Sequence, residues 1–213
     1  MSSFLSITEL EKGVVEVRLD REEVHNAFND NLIEKLVKTF ENINKNEDLR
    51  LVILTGTGRS FCAGADLNWM KSMVEFSEEE NKTDSEKLFD LFQTIDQCPV
   101  PVLGKINGHA LGGGVGLLSV CDYSLTHEKA KFGFTEVKLG LIPAVISSFC
   151  LKKIGVNHAR AWFLSGEKFS AEMALTMGLV HQVSSLEKFE QNFEEIKQKF
   201  LSAGPMAARS AKA

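Results

Sequence analysis

Residues 107–122 read NGHALGGGVGLLSVCD, with three consecutive glycines at 112–114 between a predicted strand (101–106, PVLGKI) and a predicted helix (115–120). A glycine triplet is entropically unfavourable inside a regular element, so we place it in the turn. There it would expose free backbone N–H groups at the start of a helix, where an anion, or an oxygen that becomes one, is stabilised. From the glycines alone, a tight turn that allows close helix packing explains the pattern equally well.

A second glycine-bearing loop, FCAGADL at 61–67, follows the short apolar run 51–54 (LVIL), which predicts a buried strand. Both loops lie at the carboxyl ends of predicted parallel strands, where ligands bind in open α/β sheets. The glycine spacing does not fit a dinucleotide-binding turn, and no Gly-Lys-Ser/Thr follows to make a Walker phosphate loop.

The rest of the chain indicates an α/β protein. Residues 14–19 alternate apolar and polar as a half-buried strand does, and Asn29 or Asp30 can cap an amphipathic helix that follows. Strands and helices alternate through about the first 125 residues, the pattern of βαβ units around a parallel sheet.

The remainder of the chain is predicted to be mostly helical. Ser170 opens one helix and Gly178 closes it, and a longer amphipathic helix runs from Leu186 to about Leu201. No repeat or linker composition divides the chain, so we predict one domain over residues 1–213. The acidic stretch 75–87 is predicted to be a surface segment or a helix start, with a lid over a site as the alternative.

Composition narrows the function classes. The 213 residues are 44% hydrophobic and 25% charged, with a formal net charge of −5, so no overall positive field favours nucleic acid. The four cysteines are scattered and fit a reducing compartment, and no metal-ligand spacing is present. The N-terminus lacks the pattern of a signal or transit peptide, and no apolar run approaches a membrane span. We therefore predict a cytoplasmic protein without membrane or nucleic-acid partners.

Three blocks of the sequence together resemble the enoyl-CoA hydratase/isomerase (crotonase) superfamily. They are FCAGADLNWM (61–70), NGHALGGGVGLLSVCD (107–122) and KFGFTEVKLGLIP (131–143), in the family's order. The resemblance implies a spiral of ββα units, here residues 1–168, with a helical C-terminal region, here 169–213. It also implies an acyl-CoA substrate and neither metal nor cofactor, because CoA is part of the substrate.

The resemblance assigns site residues as well. It implies that the backbone N–H groups of Ala65 and Gly113 form an oxyanion hole, and that Glu136 is the catalytic carboxylate. Read alone, Glu136 lies in a mostly apolar setting that could raise its pKa, although a glutamate beside a lysine such as Lys138 is more often a surface residue. The substrate or CoA contacts implied by the resemblance are Val24, Ala63, Ala65, Asp66, Leu67, Gly112, Gly113 and Gly116.

Gly116 is the main departure from the family pattern, because it matches the first catalytic glutamate of typical hydratases. A single carboxylate resembles the pattern of Δ3,Δ2-enoyl-CoA isomerases, so hydration and isomerisation both stay open. Replacing glutamate by glycine is expected to free volume and remove a charge beside the acyl chain, which favours a branched or carboxylated acyl group. The phrase LIPAVISSF at 141–149 is similar to a methylglutaconyl-CoA hydratase-like subgroup.

Several other residues are weaker candidates for a role in the site, and two other classes of function lack the features they need. His109 is a weaker candidate for a proton donor, and Glu23 stands where the family usually has a lysine near the CoA phosphates. Trp69 and Met70 are predicted to pack in the pocket or a lid, and Trp162 in the core. A hydrolase lacks its G-x-S-x-G turn and a His/Asp partner for Ser119, and an RNA-binding role lacks a basic and aromatic surface.

The C-terminal region is short for the family, whose members continue for several helices after a segment like 202–213. Those helices help to form a trimer and to cover the acyl pocket. The resemblance therefore implies a homotrimer or hexamer if the missing part is dispensable, and either a truncated chain or a protein without that cover.

Overall fold

The computed structural model describes residues 4–73 and 76–213. Within them the chain forms two β-sheets with helices packed around them. The strands are β1 Leu5–Glu11, β2 Val14–Leu19, β3 Leu51–Gly56, β4 Ser60–Cys62, β5 Val102–Ile106, β6 His109–Leu111, β7 Tyr123–His127, β8 Lys131–Gly133, β9 Lys168–Ser170 and β10 Gln182–Ser184.

The larger sheet has the strand order β1-β2-β3-β5-β7-β10. Strands β1 and β2 form an antiparallel hairpin, and every later pairing in this sheet is parallel. Every residue of β3 is buried, as the apolar run at 51–54 predicts for a strand covered on both faces.

The smaller sheet has the order β4-β6-β8-β9 and makes the fold a spiral. Each turn sends one strand to the large sheet and the next to the small sheet: β3 then β4, β5 then β6, β7 then β8. The ββα spiral implied by the family resemblance is thus confirmed. The simpler reading of one parallel sheet was incomplete, because β4, β6 and β8 are only three residues long and carry no readable alternation.

Two helices begin where their predicted capping residues place them. The side chain of Asn29 accepts the N–H of Leu32, and that of Ser170 accepts the N–H of Met173. The helices are α1 Asp30–Lys45, α2 Leu67–Met73, α3 Glu78–Asp96, α4 Gly113–Ser119, α5 Ala144–Ser165 (interrupted at Gly155), α6 Ala171–Thr176, α7 Phe189–Leu201 and α8 Pro205–Lys212; single 3₁₀ turns span Glu22–Val24, Glu136–Leu139 and Leu186–Lys188.

Several smaller predictions can be placed on these elements. Most of the acidic stretch 75–87 lies in α3, while Glu75 lies outside the described residues. Trp162, predicted in the core, is only half-buried and packs on Phe169 at the edge of the core, 4.8 Å between ring centroids. None of the described helices combines the length and apolar character needed to cross a bilayer. The division of the chain at residue 168 stays a prediction.

Candidate active site

The loop after β4 is held against the segment 25–28 as if the two were neighbouring parallel strands. The N–H of Phe28 donates to the carbonyl of Gly64 (2.7 Å), and the N–H of Asp66 donates to the carbonyl of Phe28 (2.8 Å). Peptide groups alternate in direction along an extended strand, so the N–H of Ala65 faces the opposite side from this pairing. Within the described residues that N–H donates to no protein acceptor.

Gly113 is the first residue of α4, and the N–H groups in the first turn of a helix have no acceptor within the helix. Gly112 before it has φ 49° and ψ −123°, a conformation that favours glycine. The two loops are in close contact: a Cβ built on Gly64 would lie 3.3 Å from the Gly113 nitrogen and 2.8 Å from the Leu111 oxygen. The glycines therefore allow the backbones that carry Ala65 and Gly113 to meet.

Glu136 begins the 3₁₀ turn after β8, and its carboxylate lies beside the same glycines. A Cβ built on Gly112 would be 3.1 Å from Glu136 Oε1. The other carboxylate oxygen, Oε2, is buried and has no hydrogen-bond partner among the described residues. Burial raises the pKa of the Glu136 carboxyl, against a smaller lowering by its own backbone N–H. Lys138 does not offset this, because it pairs with Glu167.

These groups share one cavity of about 1060 Å³. Among the predicted site residues, the cavity is lined by Val24, Ala63, Ala65, Asp66, Leu67, Gly112, Gly113 and Glu136. Among the described residues, it therefore brings together two backbone N–H groups without a protein acceptor and a carboxylate whose Oε2 has no partner. This combination can stabilise negative charge on an oxygen and move protons beside it.

Gly116 is the exception among the predicted contacts, since it is buried and does not line the cavity. A Cβ built there would lie 2.5 Å from Ile146 Cγ2 and 2.8 Å from Phe92 Cζ. The expectation that glycine frees volume at this position was therefore wrong. Two buried apolar side chains fill the space that a longer side chain would need. The expectation that position 116 carries no negative charge still holds.

Sequence reasoning missed most of the cavity wall, which is formed by α3, by the segment before α5 and by the first turn of α5. Ile146 and Leu88 lie in apolar patterns typical of any core, so nothing distinguished them as lining residues. The lining residues that were not predicted include Phe28, Asn81, Ser85, Leu88, Thr135, Leu141, Ile142, Pro143, Ala144, Val145 and Ile146.

Of the four weaker candidates, two line the cavity and two do not. Trp69 and Met70 line the cavity, whereas His109 does not, and it accepts the backbone N–H of Lys131. Ser119 donates to the carbonyl of Val115 and contacts the Cys150 sulfur, so it lies in the core without the His/Asp partners of a nucleophile. No group of three metal-ligating side chains occurs in the part of the chain that the structure describes.

Gly116→Glu is expected to destabilise the protein and to add no hydration activity. Overpacking against Ile146 and Phe92 costs roughly 1–3 kcal/mol, and the burial of an unpaired carboxylate adds to that cost. Urea unfolding of the variant measures the loss. Gly204→Glu is the matched control, because Gly204 is exposed and its nearest neighbour would be 4.0 Å from a Cβ. Unchanged stability of Gly116→Glu would show that the site does have room.

Comparisons with known proteins agree with this geometry. The family model described as enoyl-CoA hydratase/isomerase matches residues 9–213. Enoyl-CoA isomerase/hydratase fer4 of Mycosarcoma maydis is 32% identical over 210 residues, 94% of this chain and 76% of the relative. Enoyl-CoA hydratase AKT6-1 of Alternaria alternata is 37% identical over 172 residues, 81% of this chain but only 56% of the relative. The crystal structure of an enoyl-CoA hydratase from Shewanella pealeana superimposes with a TM-score of 0.94 at 34% identity, covering 99% of this chain and 78% of that one.

Proposed function

Because the chain belongs to the enoyl-CoA hydratase/isomerase family of enzymes, we propose that it adds water to, or removes it from, an enoyl-CoA thioester. One observation carries the proposal: the Glu136 carboxylate, whose Oε2 has no partner among the described residues, lines the same cavity as the N–H groups of Ala65 and Gly113. An enolate needs both kinds of group, donors for its oxygen and a base beside its carbons.

In the proposed reaction the thioester oxygen binds the N–H groups of Ala65 and Gly113. Ionised Glu136 takes a proton from a water molecule as the water oxygen bonds to Cβ, and the electrons of the double bond pass to the thioester oxygen. The two backbone donors stabilise this enolate without titrating or reorganising. Glu136 then returns the proton to Cα, so that H and OH have been added and the carboxylate is ionised again.

We propose a branched or carboxylated acyl group, such as the one in methylglutaconyl-CoA. Support comes from the charge of the wall, since apolar Ile146 lines the cavity beside Gly116 and no second glutamate stands there to repel a substrate carboxylate. Lys71 lines the same cavity and would attract one. The LIPAVISSF segment supplies the lining residues 141–146, which is consistent with a role in acyl selection.

A Δ3,Δ2-enoyl-CoA isomerase is the second candidate, favoured by the count of carboxylates. Of the acidic residues that line the cavity in the described chain, Asp66 is ion-paired with Arg21, which leaves Glu136. One base can take a proton from C2 of a 3-enoyl thioester and return it to C4, with the dienolate oxygen on the same two donors.

Two substrates separate the candidates. With a 2-enoyl-CoA, hydration is expected to remove the absorbance of the conjugated thioester and to yield a 3-hydroxyacyl-CoA by mass. An isomerase instead generates that absorbance from a 3-enoyl-CoA, without a gain of water mass.

Methylglutaconyl-CoA is expected to have a higher kcat/KM than straight-chain crotonyl-CoA. The proposed function fails if neither the 2-enoyl-CoA nor the 3-enoyl-CoA reacts. The proposed acyl group fails if crotonyl-CoA is a better substrate than methylglutaconyl-CoA.

We further propose a homotrimer or a dimer of trimers, which the family resemblance implies, and a cytoplasmic location. Light scattering coupled to size exclusion tests the assembly, and a stable monomer at micromolar concentration would remove that proposal.

A further inference from the structure

Arg21 forms a buried ion pair directly behind the loop that carries Ala65. Its side chain is 8% exposed and that of Asp66 is 10% exposed, with 3.1 Å between Arg21 Nη2 and Asp66 Oδ2. The guanidinium also lies over the ring of Phe4, 4.8 Å from its centroid. A charge pair this far from solvent is costly to desolvate, so stability alone is a weak explanation for it.

The guanidinium joins the two paired segments at the oxyanion loop. One of its nitrogens donates to the carbonyl of Ala27 and the other to Asp66, so the fork spans from segment 25–28 to loop 63–66. A planar guanidinium holds two acceptors at fixed directions, which a lysine ammonium does not. Ala65 immediately precedes Asp66, and its N–H points away from the backbone pairing with segment 25–28.

Asp66 is fixed from its other side as well. Its Oδ1 accepts the N–H of Asn68 in the first turn of α2, and its own N–H donates to Phe28. Although burial by itself raises the pKa of the Asp66 carboxyl, the hydrogen bonds from Asn68 and Arg21 hold it below the ordinary value. The residue therefore stays ionised and attached to Arg21, which fixes the Ala65–Asp66 peptide and the segment 25–28 relative to each other. The same segment holds the preceding peptide, which carries the Ala65 N–H, because Phe28 donates its N–H to the carbonyl of Gly64.

We propose that Arg21 is a positioning residue for the reaction, acting through Asp66 to hold the Ala65 N–H in the direction of the thioester oxygen. This inference rests on the proposed function, because it assigns Arg21 to the oxyanion hole of that same site. Arg21 touches neither substrate nor reacting atoms, since it is absent from the lining of the main cavity.

A positioning role and a purely structural role predict different measurements. An oxyanion donor acts most strongly when charge develops on the oxygen, so its misplacement lowers kcat more than it weakens substrate binding. A residue that only stabilises the fold changes the melting temperature and the fraction of active protein, and leaves the kcat of the folded protein unchanged.

The test uses the full chain with two variants. In Arg21→Met/Asp66→Asn both charges are removed together, so no uncompensated buried charge remains and the oxygen that caps α2 is kept. Arg21→Lys keeps the charge and loses the fork. Arg18→Met/Glu16→Gln, which removes the ion pair on β2 in the same way, is the matched control. Turnover of the enoyl-CoA substrate is measured beside the affinities for acetoacetyl-CoA, whose enolate places charge on the oxygen, and S-butyl-CoA, a thioether without a carbonyl.

We expect the double variant to lower kcat by roughly 10–100-fold, less than complete loss of a donor, and to weaken acetoacetyl-CoA in proportion. The affinity for S-butyl-CoA should fall by much less than that for acetoacetyl-CoA, the kcat of the control should stay unchanged, and Arg21→Lys should recover part of kcat. Equal kcat in wild type and both Arg21 variants would overturn the inference; if the double variant does not fold, Arg21→Lys decides alone. A wild type that turns over no enoyl-CoA would instead refute the proposed function.

Discussion

Glu136→Gln is expected to lower kcat by about 10²–10⁴-fold, the range that a positioned general acid–base group contributes. Glutamine keeps the size of the side chain but cannot take the proton from water or return it to the enolate. Turnover of an enoyl-CoA by purified variant and wild type measures the loss. Glu167→Gln is the control, since that exposed carboxylate pairs with the neighbouring Lys138. Normal turnover by Glu136→Gln would mean that another group moves the protons.

Although Glu136→Gln lowers turnover, we do not expect it to lower the stability of the folded protein. The folded protein holds the Glu136 proton to higher pH than the unfolded chain does, because burial raises the pKa. The free energy of unfolding therefore falls as pH rises from the ordinary value of the carboxyl through the raised one. At neutral pH, Glu136→Gln removes this cost, and we expect its melting temperature to equal or exceed that of wild type. In wild type, kcat should decline as pH falls through the raised pKa.

Gly113→Pro is expected to lower kcat by about 10²–10³-fold relative to Gly113→Ala, the usual effect of losing one oxyanion donor. Proline removes the N–H and is tolerated at the first position of a helix, which Gly113 occupies. Both substitutions add a Cβ, which would lie 2.9 Å from Phe28 Cε2, so the alanine variant controls for that clash.

The comparison of the two Gly113 variants removes the effect of the added Cβ and leaves the loss of the N–H, whose place the Cδ of the proline ring takes. Steady-state kinetics on both, with circular dichroism to establish the folded fraction, gives the ratio. A ratio near one would mean that the N–H of Gly113 does not bind the thioester oxygen, however close its loop lies to Ala65.

The sequence predicted the groups of the site better than the walls around it. The glycines of the oxyanion loops and the acid at 136 drew attention to these positions, but their roles were implied by the resemblance of the three sequence blocks to the family. Their meeting at one cavity depends on the spiral, which the three-residue strands β4, β6 and β8 complete. Those strands are too short to show a period, so only the family resemblance supplied them.

Two physical facts could not be predicted from the chain. Whether a glycine leaves space depends on which distant side chains approach it, and Ile146 and Phe92 come from other helices to fill the space beside Gly116. The pairing of Arg21 with Asp66 is likewise a tertiary contact, since neither residue has a sequence neighbour that specifies its partner. Both facts concern packing, whereas the roles of Ala65, Gly113 and Glu136 were implied by the family resemblance.

A crystal structure with acetoacetyl-CoA bound tests the central claim most directly. We predict that the thioester oxygen lies about 3 Å from both the Ala65 and Gly113 nitrogens, with the Glu136 carboxylate against the α-carbon of the acyl group. A thioester oxygen bound to other groups, or an acyl chain outside this cavity, would contradict the account.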